Sequence, residues 1–185
     1  MAAPDLARVL RVGGRLAVNP ANLSTAWPHG GTGLGLVQDV AIRVRSSVHE
    51  IAEEPWGIEP SEVILGGESV ALVAALRTWD ATALATVFPS GATGSVTGER
   101  VVTYPGASWK SGTQLYAGRV VLLFTPTDQE NHPAALFYAA MPVLDDDVSL
   151  RLQLDQEHLV AVRFVCARDA SARVYAYGRL RDLSL

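Results

Sequence analysis

The chain has 185 residues, the usual size of one domain and enough to bury a substantial core. Half of it is apolar (49%) and only 18% is charged, against roughly 25% in an average soluble domain, so we expect a surface that a partner covers in part. The net charge is −4 and the basic residues are scattered singly, which argues against sequence-independent binding to nucleic acid.

No apolar stretch near the N-terminus is long enough for a signal peptide, and none approaches the roughly 20 residues of a membrane span. We therefore expect a protein that is made in the cytoplasm and stays there, or in a particle assembled there.

Strand-like segments recur between turn signals in the first half of the chain. A Gly/Pro/Asn-rich loop is predicted at about residues 19–35, and Gly66-Gly67 predicts a two-residue hairpin turn. The predicted strands here are Arg8–Val18, Leu36–Val48, Ser61–Leu65 and Glu68–Trp79.

One short helix is predicted after these strands. Asp80 is a good N-cap, an apolar stretch follows it, and Pro89 prevents continuation, so the helix spans Asp80–Phe88. A helix of about two turns is not stable alone and has to dock on the sheet.

The second half again reads as strands, with a second long loop at about residues 104–113. In the last third, Leu150, Leu152 and Leu154 alternate with polar residues, which is typical of a half-buried strand. The last three predicted strands form an antiparallel meander with a turn at Asp169-Ala170-Ser171. The predicted strands are Arg100–Tyr104, Gln114–Thr125, Ala134–Val143, Ser149–Asp155, Leu159–Arg168 and Arg173–Leu180.

These elements predict a mainly β fold: an antiparallel β-sandwich or barrel with one short flanking α-helix. Short strands without a βαβ rhythm favour this class. No change in composition and no Pro/Ser-rich linker divides the chain, so we expect a single domain over residues 1–185.

The motifs that resemble catalytic or cofactor sites each lack an essential part. The glycine run Gly30–Gly35 has neither the preceding strand nor the following helix of a dinucleotide loop, which indicates a close-packed or flexible loop. Lys110-Ser111 follows Trp109, where a phosphate-binding loop requires glycine. No Gly-x-Ser-x-Gly elbow occurs and no two acidic residues stand out as a catalytic pair. The sequence predicts no catalytic residue and no cofactor, and we expect a protein that is not an enzyme.

No metal site is predicted either. The four histidines are far apart in sequence, and the acidic run Asp145–Asp147 lacks the spacing and glycine of a calcium loop, so it reads as a solvated turn. Cys166 is the only cysteine, which rules out an internal disulfide. Its position on the strand face of Val162 and Phe164 predicts a buried, inert thiol.

The middle of the chain carries a series of motifs: a Gly-rich opening, an acidic loop with Trp and Gly, a turn into a long strand, and a short helix after it. They read PHGGTGLG at 28–35, VHEIAEEPWG at 48–57, SEVILGGE at 61–68, LRTWD at 76–80 and VFP at 87–89. In these motifs the chain resembles the tail tube and related major tail proteins of long-tailed bacteriophages. The resemblance covers roughly residues 14–90, and the remainder is similar only in its strand character.

The resemblance implies a structural virion protein. Six subunits would form a ring, and rings would stack into a hollow tail tube through which phage DNA passes transiently without specific binding. The partners would be other copies of the chain and other phage tail proteins. The loops at 19–35 and 104–113 would reach neighbouring subunits, and the helix would pack on the outside of the sheet. An acidic lumen, as in such tubes, agrees with the net charge of −4.

Four residues are candidate inter-subunit contacts: Trp27, His29, Trp56 and Trp109. Interfaces favour large aromatic anchors, and these lie in predicted loops. The tryptophans are equally compatible with capping the ends of the fold within one subunit. Three other functions stay open: another ring-forming component of the tail, baseplate or head–tail junction; a small β-barrel that binds a ligand or acts as an enzyme; and a carbohydrate-binding sandwich.

Overall fold

Antiparallel strands account for most of the residues that the structure describes. The computed structural model describes residues 13–52, 60–77, 85–87, 92–96, 99–103, 114–130, 132–143 and 159–185. Within them lie nine strands and two 3-10 turns, at Leu115–Gly118 and Leu180–Asp182. The strands are β1 (Gly14–Val18), β2 (Thr32–Ala52), β3 (Pro60–Leu76), β4 (Ala92–Val96), β5 (Glu99–Thr103), β6 (Val120–Pro126), β7 (Ala134–Val143), β8 (Val160–Cys166) and β9 (Tyr175–Gly178).

Six of these strands close into a barrel. The hydrogen-bonded order is β6-β1-β2-β3-β8-β7, and β6 pairs with β7 to complete the circuit. Closure satisfies the backbone groups that an open sheet would leave at its edges. The mainly β, antiparallel class is therefore confirmed in its barrel form, whereas the sandwich alternative is not. β4 and β5 form a separate two-stranded sheet.

β7 is shared by three neighbours. One edge pairs with β6, and the other is divided between β8, at Ala140–Val143, and β9, at Ala134–Phe137. β8 and β9 therefore lie end to end on one strand edge and do not pair with each other. The predicted meander is wrong at this point, although the turn between these strands exists: the Asp169 carboxylate accepts hydrogen bonds from the backbone N–H groups of Ser171 (2.9 Å) and Arg173 (2.7 Å).

The core fills the barrel with alternate residues of its strands. Alternation is what places one face of each strand inside. On β8 this face comprises Val160, Val162, Phe164 and Cys166, all buried, as predicted for the cysteine. Val87, in the helical segment 85–87 of the predicted helix, is also buried in this cluster. The other buried members are Leu16, Val18, Leu34, Val37, Val70, Leu72, Ala74, Leu76, Leu122, Ala135, Phe137 and Ala140.

β3 runs without interruption through Gly66-Gly67, so the hairpin turn predicted there is wrong. Ser47 of β2 pairs with Gly67, and Val48 pairs with Leu65, which leaves Gly66 as the extra residue of a β-bulge. Gly67 has a φ of +149°, which a residue with a side chain rarely adopts. Two adjacent glycines suit a bulge as well as a turn, and here the continuous partner strand decides between them.

Several other predictions have shifted boundaries or fall outside the described residues. The strand at 134–143 agrees with its prediction, whereas the loop at 19–35 ends at Gly31 because Thr32 and the residues after it pair with β1. β4 was not predicted. Some predictions concern residues outside the described ranges, namely Trp56, Trp109, the loop 104–113, the acidic run 145–147 and the strand 149–155.

Candidate assembly surface

The β2–β3 hairpin extends beyond the barrel. β1 pairs with β2 only as far as Val37, and β8 pairs with β3 only as far as Val70, opposite Val44. We call residues 45–52 and 60–69 the arm. Eight residues of β2 lie in it, which at about 3.3 Å per residue reach roughly 26 Å. In the described part of the chain, no third strand pairs with the arm, so both of its edges present unpaired backbone groups.

The arm carries apolar side chains that its own subunit does not cover. Val48 is 53% exposed and its cross-strand partner Leu65 is 59% exposed. Val44, at the base of the arm and on the same face, is 45% exposed, and Ile64 on the opposite face is 44% exposed. An isolated two-stranded ribbon is only marginally stable in water, and apolar side chains on it favour contact with another surface.

Two arginines lie on the other face of the hairpin. Arg43 precedes the arm and Arg45 lies in it, opposite Ala71 and Ser69 respectively. Both side chains are exposed, and neither has an ion-pair partner within the described ranges. Within the arm, Arg45 and Glu68 are the charged side chains that the structure describes, one of each sign, and the sequence of the arm adds Glu50 and Glu62.

A groove lies where the arm leaves the barrel. Its volume is about 880 Å³. One wall is the inner face of the hairpin, and the other comes from the ends of β6, β7 and β9. The groove, as we call this site from here on, is lined by Gly13, Gln38, Asp39, Val40, Ile42, Val44, Leu72, Phe124, Pro126, His132, Pro133, Ala135, Tyr175 and Tyr177.

Aromatic rings form much of the wall that faces the hairpin. Tyr175 and Tyr177 point to one side of β9 and are 40% and 52% exposed. The Tyr175 ring packs on Phe137 of the core, with ring centroids 6.0 Å apart, and this contact fixes its orientation. Both tyrosines therefore stay accessible on the side of the groove, although the Tyr175 ring stacks on Phe137.

The polar side chains of the groove are few, and one of them, Asp39, is acidic. Asp39 has a φ of +53°, in a bulge where β2 carries one more residue than β3, and its side chain is exposed. His132 is mostly buried, and its Nδ1 lies 3.7 Å from a carboxylate oxygen of Asp128. Among the described side chains that line the groove, Asp39 is the one carboxylate and His132 the one imidazole.

The loop before β2 is held against its own barrel. The Asn19 backbone N–H donates to the carbonyl of Val121 (2.7 Å), and the Val121 N–H donates to Oδ1 of Asn19 (3.0 Å). His29 is only 3% exposed, and neither of its ring nitrogens has a hydrogen-bond partner in the described part of the chain. The histidine therefore does not present its ring to a neighbouring molecule while this loop is closed.

Trp27 packs on the outer face of β1 and β2. Its indole lies over Gly33, where a Cβ would collide with the ring, and the Arg15 guanidinium lies 5.2 Å from the ring centroid. The glycine run thus serves close packing, one of the two roles expected for it. The structure does not bring Trp27 or His29 to the arm or the groove. Trp56 belongs to the connection between β2 and β3 and, like Trp109, is not among the described residues.

Cys166 is the one thiol of the chain. Burial raises its pKa to about 12, against the weaker opposing effect of a backbone hydrogen bond from Leu72. Among the described residues, no three His, Cys, Asp or Glu side chains cluster as metal ligands would. The same residues include no helix with the length and apolar character that a membrane span needs.

Comparisons with known proteins identify no family. No protein-family profile matches the sequence, and no curated protein sequence matches it. One similar solved structure, described as "Crystal structure of Hcp protein", is 10% identical, has a TM-score of 0.35, and matches over 90% of this chain and 98% of that chain. At this TM-score the likeness supports no argument about function, and the proposals below rest on the barrel, the arm and the groove.

Proposed function

We propose that this protein is a structural subunit that assembles with copies of itself into rings, and that the rings stack into a tube of the tail-tube kind. The arm is the observation that carries the proposal. It extends beyond a barrel that is otherwise closed, and it combines two unpaired strand edges with the exposed side chains of Val48 and Leu65. Such an element gains stability when a second molecule covers it.

The surface that the arm contacts decides between closed dimers and rings or filaments. An arm that contacts the same arm of another copy makes a closed twofold dimer. An arm that contacts a different surface of the next molecule makes a head-to-tail contact, which repeats until it closes into a ring or continues as a filament. The sixfold ring, the passage of DNA, the location in a virion tail and the absence of enzymatic activity come from the resemblance and the sequence, and they are part of this proposal.

The experiment is electron microscopy of the purified protein in negative stain over a concentration series, with sedimentation velocity on the same samples. We expect rings or hollow tubes that increase with concentration. Val48→Asp/Leu65→Asp places two carboxylates in the contact and should leave only monomers. Leu185→Asp is the matched control, because Leu185 is exposed to a similar degree (44%) but lies outside the arm. A wild-type protein that stays monomeric at every concentration would contradict the proposal.

Two alternatives make different predictions in the same samples. A single-ring component of a tail or baseplate would form rings that do not stack. A small barrel that binds a ligand is favoured by the groove, whose tyrosines offer stacking faces of the kind that sugars and aromatic compounds bind. Saturable binding of a glycan or small aromatic ligand to a monomer, with loss on Tyr177→Ala, would support that function in place of assembly.

A further inference from the structure

We propose that the groove receives the N-terminal segment of its own chain, residues 6–12, as a further strand along the free edge of β2. These residues precede the described part of the chain. The contact goes beyond self-assembly and does not depend on it, and a groove filled in this way is closed to a free ligand.

The chain enters the described part of the structure at the groove. Gly13 is the first described residue, and it lines the groove. Its carbonyl accepts hydrogen bonds from the backbone N–H of Thr127 (3.1 Å) and from the hydroxyl of the same residue (2.8 Å), so this point of the chain is fixed against the end of β6. Residues 6–12 are therefore tethered beside the groove, at an effective concentration on the order of 1 mM for so short a link.

β2 offers an unpaired edge along one wall of the groove. β1 pairs with β2 only as far as Val37, whereas β2 continues along the wall to Val44. Within the described ranges no strand pairs with this edge beyond Val37, so its backbone N–H and C=O groups are open to a further strand. A continuation of β1 toward the N-terminus would run along this edge, because β1 and β2 are antiparallel. An extended segment that adds to such an edge gains main-chain hydrogen bonds.

The sequence favours such a continuation. The apolar pattern predicts a strand that begins at Arg8, whereas β1 begins at Gly14. The segment 6–12 and the edge 38–44 have the same number of residues, so an extended segment is long enough to cover the whole edge.

The side chains of the segment match the groove in polarity. In an extended chain, Leu6, Leu10 and Val12 lie on the same face as Gly14, because successive side chains alternate. That face is directed into the groove, since a Cβ at Gly14 would collide with the ring of Phe124, which lines it. Apolar side chains that enter there leave water, and this is the main favourable term in such a contact.

The groove has surface left to cover. Val44 on one wall and Tyr175 and Tyr177 on the other are all exposed within the described structure. Asp39 is the one carboxylate among the lining residues, and residues 6–12 carry two arginines and no acidic side chain, so charge does not oppose the contact.

Disulfide formation within one chain tests the contact directly. If the added strand passes the bulge at Asp39 with the same offset as β3, position 8 comes opposite Val44. Arg8→Cys/Val44→Cys should then form an intrachain disulfide with a mild oxidant, because a disulfide needs Cα atoms within about 7 Å. Val44 is exposed, so the change should not disturb folding, and the buried Cys166 does not react. The experiment is done at concentrations where sedimentation shows monomers, and the yield should not depend on concentration.

Arg8→Cys/Leu185→Cys is the matched control for this disulfide. Leu185 is exposed to nearly the same degree as Val44 (44% against 45%) and does not line the groove. We expect the disulfide between positions 8 and 185 to form at least tenfold more slowly than the one between positions 8 and 44.

A second measurement uses the reactivity of a single introduced thiol. In Val44→Cys the segment should shield position 44 from a thiol reagent. Leu10→Asp, added to this variant, directs a carboxylate into the groove and should raise the labelling rate at least tenfold. Val9→Asp is the matched change on the opposite face of an extended segment, and it should leave the rate unchanged.

The outcomes separate this contact from the alternatives. A disulfide between positions 8 and 44 that forms no faster than the control, or equal labelling with Leu10→Asp and Val9→Asp, would overturn it. Covalent dimers from an equal mixture of Arg8→Cys and Val44→Cys would show that the segment reaches another copy, and would also overturn the intrachain contact. Because the disulfide is measured on monomers, a protein that never forms rings would remove the proposed function and leave this contact in place.

Discussion

Val48 and Leu65 stand opposite each other across the β2–β3 ladder, and they are the two most exposed large apolar side chains in the described part of the chain. The bulge at Gly66 brings them together. Because successive side chains of a strand point to opposite faces, a strand without the bulge would place Gly66 opposite Val48 and turn Leu65 to the face of Arg45. A single extra residue thus determines which face of the arm is apolar.

Truncating Leu65 measures its share in assembly. Leu65→Ala removes apolar area that an interface would bury, and at about 0.8 kcal/mol per methylene we expect the association to weaken roughly tenfold to a hundredfold. The stability of the monomer should hardly change, because this side chain is already mostly exposed. Sedimentation velocity gives the first quantity and urea denaturation the second. Leu185→Ala is the control, and an equal loss of association there would point to a nonspecific effect.

Gly33→Ala tests the packing of Trp27. A methyl group at this position collides with the indole, so the ring or the strand has to shift, and we expect a loss of about 1–3 kcal/mol in the free energy of unfolding. Gly178→Ala is matched, since it also lies in a strand and a Cβ there meets nothing within 4 Å. Equal stability of the two variants would show that Trp27 does not pack on Gly33.

The turn at Asp169 should weaken in acid. Partial desolvation raises the pKa of this carboxyl, but hydrogen bonds from the backbone and guanidinium of Arg173 and from Ser171 outweigh it, so the pKa lies below its ordinary value. A lowered pKa means that the ionised form stabilises the fold above the unfolded pKa of about 3.9, and this stabilisation is lost as pH falls through the folded value. An NMR titration of the Asp169 carboxyl should give a midpoint below that of an unfolded peptide. Asp169→Asn should reduce the acid sensitivity of stability, and a normal midpoint would contradict the expectation.

The thiol of Cys166 should react only in the unfolded protein. It is buried, its pKa is raised to about 12, and its S–H donates to the carbonyl of Phe164 at 3.7 Å, so the reactive thiolate is scarce and shielded. A thiol reagent should label one group per chain in denaturant and almost none in native buffer. Rapid labelling of the native protein would show that the barrel opens at β8.

Local sequence patterns correctly predicted strands that lie in the core of the barrel. The strand at 134–143 and the buried face of Val162, Phe164 and Cys166 were correct, because continuous or alternating apolar residues suffice to indicate a strand in a core. Patterns of this kind cannot tell a turn from a bulge. At Gly66-Gly67 the decision depends on the unbroken strand opposite, which is information from a different part of the chain.

The candidate surface was mostly hidden from sequence reasoning for the same reason. The alternation of Ile42, Val44 and Val48 with arginines was visible, but it reads as an ordinary half-buried strand. That Val44 and Val48 are uncovered follows from where β1 and β8 stop pairing with the hairpin, which depends on residues far away in the sequence. His29 is the opposite case. A histidine in a Gly/Pro-rich segment is expected to be exposed, yet the loop buries its side chain.

The order of the strands along the chain also sets an order of events during synthesis. The β2–β3 ribbon is made of neighbouring segments and can pair as soon as both have left the ribosome, whereas the barrel closes only when β8 has paired with β3 and β7. A nascent subunit therefore has its arm before it has a closed barrel. By the same reasoning, a chain that stops before Val160 would keep the open edges of β3 and β7 together with the arm, and we expect it to aggregate.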